Sequence, residues 1–242
     1  MGTLYVDTLE PQSGTTLTVG ETGQNTVVGG NTIKLNTLKD AGGNTLFTSD
    51  GSGNLSSVNS GFGAPFTLIQ AQTVSSAVAS LTFTSGISSA YNTYLFGYYT
   101  IAPVTEGAHW GFQCSTDGGS NYNTTLTSTA WYANHTEAGT GGALTYYSAE
   151  DQAQGTAYQN IDTYVDDTAP ACTAGYLYIY DLGSTTYVKN FYSRGVRRPS
   201  DGNLSDTYIA GYFNTASAID AVSFKFSTGN IAAGKVKMWG MK

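Results

Sequence analysis

In the stretch Val222 to Ser227, Val222, Phe224 and Phe226 alternate without interruption with Ser223, Lys225 and Ser227. A period of two sends one set to each face of an extended strand, whereas a helix would scatter both sets around its axis. The same period governs Trp110, Phe112 and Cys114 against Gly111 and Gln113, and Leu177 and Ile179 against Tyr178 and Tyr180. Turn signals such as Asp117-Gly118-Gly119 and Gly229-Asn230 punctuate these runs, and a last strand is expected from Lys235 to Trp239. No stretch reads as a helix. The chain is rich in Gly, with 30 in 242 residues, and 13% aromatic but only 11% charged, a mixture suited to pleated surfaces and turns. The expected class is all-β: a jelly-roll-like β-sandwich of eight or more strands.

The front of the chain is different. Before Gly61–Pro65 tyrosine occurs once, at Tyr5, and tryptophan not at all. A hydrophilic phrase recurs instead, as Asn25-Thr26-Val27, Asn31-Thr32-Ile33, Asn44-Thr45-Leu46 and Asn54-Leu55, each shortly after a glycine. The spacing is too irregular for a solenoid and fits short strands between Gly-containing turns. Two parts are therefore expected, an attachment or trimerising β segment over 1–64 and a sandwich domain over 65–242. Ile33, Leu35, Leu38, Leu46, Phe47, Leu55 and Val58 are thinly spread among glycines whose ordering is entropically costly. Such a segment needs apolar surface from elsewhere, from sister chains about a common axis or from a different protein.

Formal net charge is −7, which argues against a nucleic-acid partner, since phosphate recognition needs clustered Lys and Arg. No Lys or Arg lies between Lys39 and Lys189, and the remaining cations gather towards the C-terminus. That asymmetry fits either complementary contacts between neighbouring subunits or opposite sides of one solvated surface. No apolar run is long enough for a membrane-spanning helix, and the opening MGTLYVDTLEP lacks the basic and apolar regions of a secretory signal. Synthesis in a cytoplasm is expected. Cys114 and Cys172 have no metal-type spacing and read as buried thiols, with a single disulfide as the alternative.

Three stretches carry a resemblance: TLYVDTLEP at the start, DAGGNTLFTSDGSGNLSSVNSG over 40–61, and AIDAVSFKFSTGNIAAGKVKMWGMK at the end. They resemble virion proteins of tailed bacteriophages, of the cyanophage and marine-phage type: tail fibres, spikes, and capsid-fibre or decoration proteins. The likeness covers both ends and weakens over 105–170. It implies a homotrimeric structural protein of the virion that contacts other virion proteins through its first segment. Leu4, Val6 and Leu9 are the candidate attachment residues. The resemblance leaves open a tail-fibre or spike adhesin, a capsid decoration or cement protein that stabilises the head, and a polysaccharide depolymerase.

The segment Asn121 to Ser148 combines aromatic rings with Asn and Thr, the pairing that carbohydrate recognition uses. Tyr122, Trp131, Tyr132, His135, Tyr146 and Tyr147 are the candidate glycan- or receptor-binding residues; cross-strand aromatic packing is the competing reading. His109 and His135 beside Glu106 and Glu137 do not form a zinc spacing. Asp162, Asp166 and Asp167 lack a calcium-loop pattern, so neither a metal nor another cofactor is expected. A depolymerase would need two carboxylates across a cleft, for which Glu106, Asp117, Glu137, Glu150 and Asp151 supply numbers but no constellation. With no nucleophile elbow or phosphate-binding loop either, a non-enzymatic role is expected.

Overall fold

The computed structural model describes residues 35–52, 55, 56, 58, 59, 66–198 and 202–242. Leu4, Val6, Leu9 and the first two copies of the Asn-Thr phrase lie outside these. The chain divides into two compact units, Met1–Gly63 and Ala64–Lys242, each described by itself.

In the first unit β1 (Thr37–Lys39), β2 (Thr45–Ser49) and β3 (Leu55–Ser56) form an antiparallel sheet in the order β1-β2-β3. The turn between β1 and β2 is built by Asp40, whose carboxylate accepts the Asn44 backbone N–H at 2.8 Å and its side-chain amide at 3.0 Å. Those bonds favour the ionised form and lower the Asp40 pKa. Gly43 takes a φ of 82°, left-handed backbone that a side chain resists. The third Asn-Thr-aliphatic phrase opens β2. None of the described residues in this unit is buried, and Leu35, Leu55 and Val58 are exposed. The sheet has turn chemistry but little core of its own.

The second unit is a β-sandwich of two antiparallel sheets. Its strands are β4 (Thr67–Val74), β5 (Leu81–Phe83), β6 (Thr93–Pro103), β7 (Ala108–Ser115), β8 (Leu126–Thr136) and β9 (Ala143–Tyr146). They continue as β10 (Gln159–Val165), β11 (Thr173–Tyr180), β12 (Lys189–Arg197), β13 (Asn203–Phe213), β14 (Ala221–Phe226) and β15 (Ile231–Met241). One sheet has the order β10-β7-β14-β5 and the other β4-β15-β6-β11-β12-β13-β8-β9. Among the described residues the helical content is a single 3₁₀ turn, Ser148–Glu150. The final strand starts at Ile231 rather than Lys235, because register irregularities between Ile231 and Lys235 break the alternation there and hide its beginning.

The core is where the inner faces meet. Phe112 of the smaller sheet packs edge-on against Phe191 and Phe213 of the larger, at 5.2 and 5.9 Å between ring centres. Phe96 of the larger sheet reaches Phe83 and Phe224, both at 5.4 Å. Trp110 lies stacked along Phe224. Such pairs add about 0.5–1.5 kcal/mol each beyond the area they bury. Cys114 is buried among these rings and Cys172 is only partly covered; both are free thiols.

A buried polar cluster crosses this apolar layer, in addition to the hydrogen bond from Ser128 on β8 to Gln159 on β10. Asp162, on β10 and fully buried, accepts hydrogen bonds from the Tyr98 hydroxyl (3.0 Å) and from Thr173 Oγ1. Arg197, itself almost wholly buried, places Nη1 at 3.8 Å from Asp162 Oδ1 and donates to Thr207 Oγ1 at 2.7 Å. Space for the cluster comes from Gly175 and Gly195, which face each other across β11 and β12. A Cβ on Gly195 would run into the Asp162 carboxylate and the Tyr98 hydroxyl, and one on Gly175 into the same hydroxyl.

Two consequences can be measured. Gly195→Ala is expected to cost about 1–3 kcal/mol of stability, the usual range for overpacking, in urea unfolding. Burial raises the Asp162 carboxyl to about 6, partly offset by Arg197, Thr173 and Tyr98. The folded protein therefore holds this proton to higher pH than the unfolded chain does. The stability it confers is complete below the ordinary Asp range near 4 and is lost as pH rises through 6. The wild type should lose about 2–3 kcal/mol relative to Asp162→Asn between pH 4 and 7; a difference constant with pH would contradict this burial.

Candidate functional site

Strand β12 alternates strictly. Lys189, Phe191, Ser193, Gly195 and Arg197 are buried, while Asn190, Tyr192, Arg194 and Val196 point outward. The register carries this division across the larger sheet, so the outward residues of neighbouring strands line up in rows. One row runs Tyr146–Trp131–Tyr208–Arg194–Tyr176–Gly97–Lys237 from β9 to β15. The next includes Tyr192, Tyr178, Leu95 and Trp239. The outer face of the eight-stranded sheet is thus largely aromatic.

These rings are ordered by one another. Trp131 stacks on Tyr208 with ring centres 3.8 Å apart and planes within 6°. From the strand on the other side, the Arg194 guanidinium lies over Tyr208 at 4.9 Å. Arg194 is held in place by two bonds to Asp206, Nε at 3.0 Å and Nη2 at 2.8 Å, and the Tyr208 hydroxyl donates to the same carboxylate at 3.2 Å. Tyr178 stacks on Tyr192 at 5.0 Å. Loss of water around the packed rings is the first cause of the raised pKa of Tyr178, Tyr192 and Tyr208. Tyr146 is raised chiefly by its hydrogen bond to Asp151. The face still presents rings to solvent: Trp131 is 40% exposed, Tyr192 39% and Tyr146 63%.

Two shallow depressions, each of about 360 Å³, flank Tyr176. Ala174 and Gly175 belong to both; the first adds Gly97, Tyr99 and Tyr178, and the second Arg194, Leu204 and Asp206. Tyr99 continues the outward alternation of Leu95 and Gly97 and pairs in register with Lys235; the irregularity in β6 follows it, at Thr100 with a φ of 49°. The Tyr99 hydroxyl and Trp239 then close over Gly97, at 2.8 and 3.0 Å from where a Cβ would stand.

The six residues expected from the sequence separate. Trp131, Tyr146 and His135 lie on the outer face, His135 at the end of β8 opposite Leu204, with Nδ1 2.8 Å from the Thr136 carbonyl. Tyr132 and Tyr147 form an edge-on pair at 5.0 Å. Tyr147 packs against the core, and Tyr132 follows Trp131 on the strand and so faces the other way. Tyr122 is in the turn after β7, with its hydroxyl buried, away from this face. Tyr208, Arg194, Tyr192, Tyr176 and Trp239, which complete the face, fall outside Asn121 to Ser148. Their signal was the alternation itself: where Leu177 and Ile179 are inward, Tyr176, Tyr178 and Tyr180 must be outward.

The histidines and carboxylates take other places. His109 meets Glu150 at 3.6 Å and Asn160 at 3.2 Å, not Glu106. Glu137 binds Arg198, which also holds Asp166. Glu106, Asp166 and Asp167 bring carboxylate oxygens within 4.8 Å of one another, but Glu106 accepts the Asp167 N–H and Asp166 the Thr168 N–H and Arg198. Asp162 belongs to the core instead. Asp117 orders its own turn, with Ser115 and Asn121 lowering its pKa to about 2. Asp151 accepts the Ala130 N–H and the Tyr146 hydroxyl.

No protein-family model, curated protein or solved structure matched the chain when compared with it.

The placement of the three tryptophans is testable by acrylamide quenching, since Trp110 is fully buried, Trp239 is half-buried and Trp131 is exposed. Trp131→Phe should remove most of the quenchable emission. Unchanged quenching would contradict an exposed Trp131.

Proposed function

We propose that this chain is a structural protein of a tailed-bacteriophage virion, a homotrimeric tail-fibre or spike adhesin that displays a jelly-roll sandwich for binding host-surface glycan. The observation that carries the adhesin reading is the aromatic outer face of the eight-stranded sheet. Flat rings beside hydroxyl, amide and guanidinium groups suit the apolar faces and hydroxyls of sugars, and tyrosine supplies such area at small entropic cost.

The wiring supports the jelly-roll reading. If the meander β11–β12–β13 counts as one strand and β4 and β15 are set aside, two four-stranded sheets remain: β5-β14-β7-β10 and β6-meander-β8-β9. The chain crosses between them at every connection except β8 to β9, as in the double Greek key of viral capsid and lectin domains. Fold analogy alone does not assign function, so the reading rests on the face and on the resemblance at both chain ends. The absence of buried residues in the described part of the first unit supports assembly through that segment. Three equivalent weak sites on one body would gain avidity from effective concentration.

The test is competition. Purified full-length protein should reduce phage adsorption to host cells, and Trp131→Ala with Tyr176→Ala should abolish that effect while leaving the unfolding temperature near that of wild type. Adsorption unaffected by saturating, folded wild-type protein would overturn the adhesin reading.

A further inference from the structure

We infer that the glycan taken by the outer face is acidic, its carboxylate or sulfate groups held by Lys235 and Lys237 beside the groove between Tyr99 and Tyr176. The inference rests on the glycan-binding reading above and specifies its ligand.

The charge distribution on this face differs from that of the protein as a whole. Strand β15 sends Val236 and Met238 into the core, so Lys235, Lys237 and Trp239 share the outer face. Lys235 stands opposite Tyr99 and Lys237 opposite Gly97, a residue that lines the groove. Among the described residues neither lysine has a carboxylate partner. The Lys237 ammonium lies 5.9 Å from the Trp239 ring centre, at the outer limit of a cation–π contact.

Asp206 is the only carboxylate on the strands of this face, and Arg194 and the Tyr208 hydroxyl already satisfy it. The outward positions of these strands thus bear Lys235, Lys237 and Arg194 against one Asp, on a protein whose formal charge is −7. A local cationic patch on an acidic molecule favours an anion at that spot and repels it elsewhere. Rings on the groove walls meet sugar faces while two ammonium groups, one residue apart on the same side of a strand, meet successive acid groups. Lysine, with three rotatable donors and no fixed fork, accommodates either carboxylate or sulfate.

The experiment uses the full-length protein and three probes, dextran, dextran sulfate and polygalacturonate, with binding read by biolayer interferometry at low and at physiological salt. The two acidic probes report sulfate and carboxylate recognition separately. At least one acidic probe is expected to bind about tenfold or more tighter than dextran, with affinity falling as salt rises. Lys235→Ala with Lys237→Ala should remove that preference while leaving the circular dichroism spectrum and any dextran binding unchanged. Equal affinity for acidic and neutral probes, or an acidic preference that survives in the double variant, would overturn the inference while leaving glycan binding intact. Binding of none of the probes together with unimpaired adsorption in the competition assay would remove both. A double variant that changes its sedimentation behaviour would also overturn it, showing that a second copy of the chain covers the lysines.

Discussion

The contact of Asp162 with Tyr98, Thr173 and Arg197 is the point on which the sandwich turns. Hydrophobic pairing between sheets is tolerant of sliding, because one aromatic ring can replace another. A buried carboxylate is not, since losing its donors leaves a charge in an apolar layer. The cluster fits only where Gly175 and Gly195 oppose each other, so it fixes the pairing of β11 with β12 on one side and with β6 on the other. A one-residue slip would send every inward side chain of those strands outward.

The outer face inherits its arrangement from that constraint. With Gly195 and Arg197 turned inward, Arg194 and Val196 must be outward; with Gly175 inward, Tyr176 must be outward, between the two depressions. Tyr208 then lies between Trp131 and Arg194 by register alone. The result is a pre-ordered set of rings on a sheet with shallow grooves. On the proposed reading this suits repeated weak contacts with a polymer better than enclosure of a small molecule.

The strand class was legible from a few runs, because Val222–Ser227 and Trp110–Cys114 keep a clean period of two. Strands with register irregularities were harder to delimit, as the beginning of β15 shows. The candidate site was legible only where aromatic residues cluster in sequence, which identified Trp131 and Tyr146 but put Tyr132 and Tyr147 with them despite their facing the opposite way. Tyr208, Arg194 and Lys237 join Trp131 through pairing between distant strands, and local composition carries no record of that pairing. Asp162 likewise falls in sequence beside Asp166 and Asp167, while its partners Tyr98 and Arg197 are far off in the chain. Alternation tells which residues share a face of one strand; it does not tell which strands are neighbours.

The central claim is that the aromatic outer face is open in the protein as it assembles. Hydroxyl-radical footprinting of the native full-length protein, read residue by residue by mass spectrometry, tests it most directly. The account predicts rapid oxidation of Tyr99, Trp131, Tyr146 and Tyr192 and strong protection of Tyr94, Tyr98 and Trp110. Protection of the first group to the level of the second would show that the face is covered and would contradict the account.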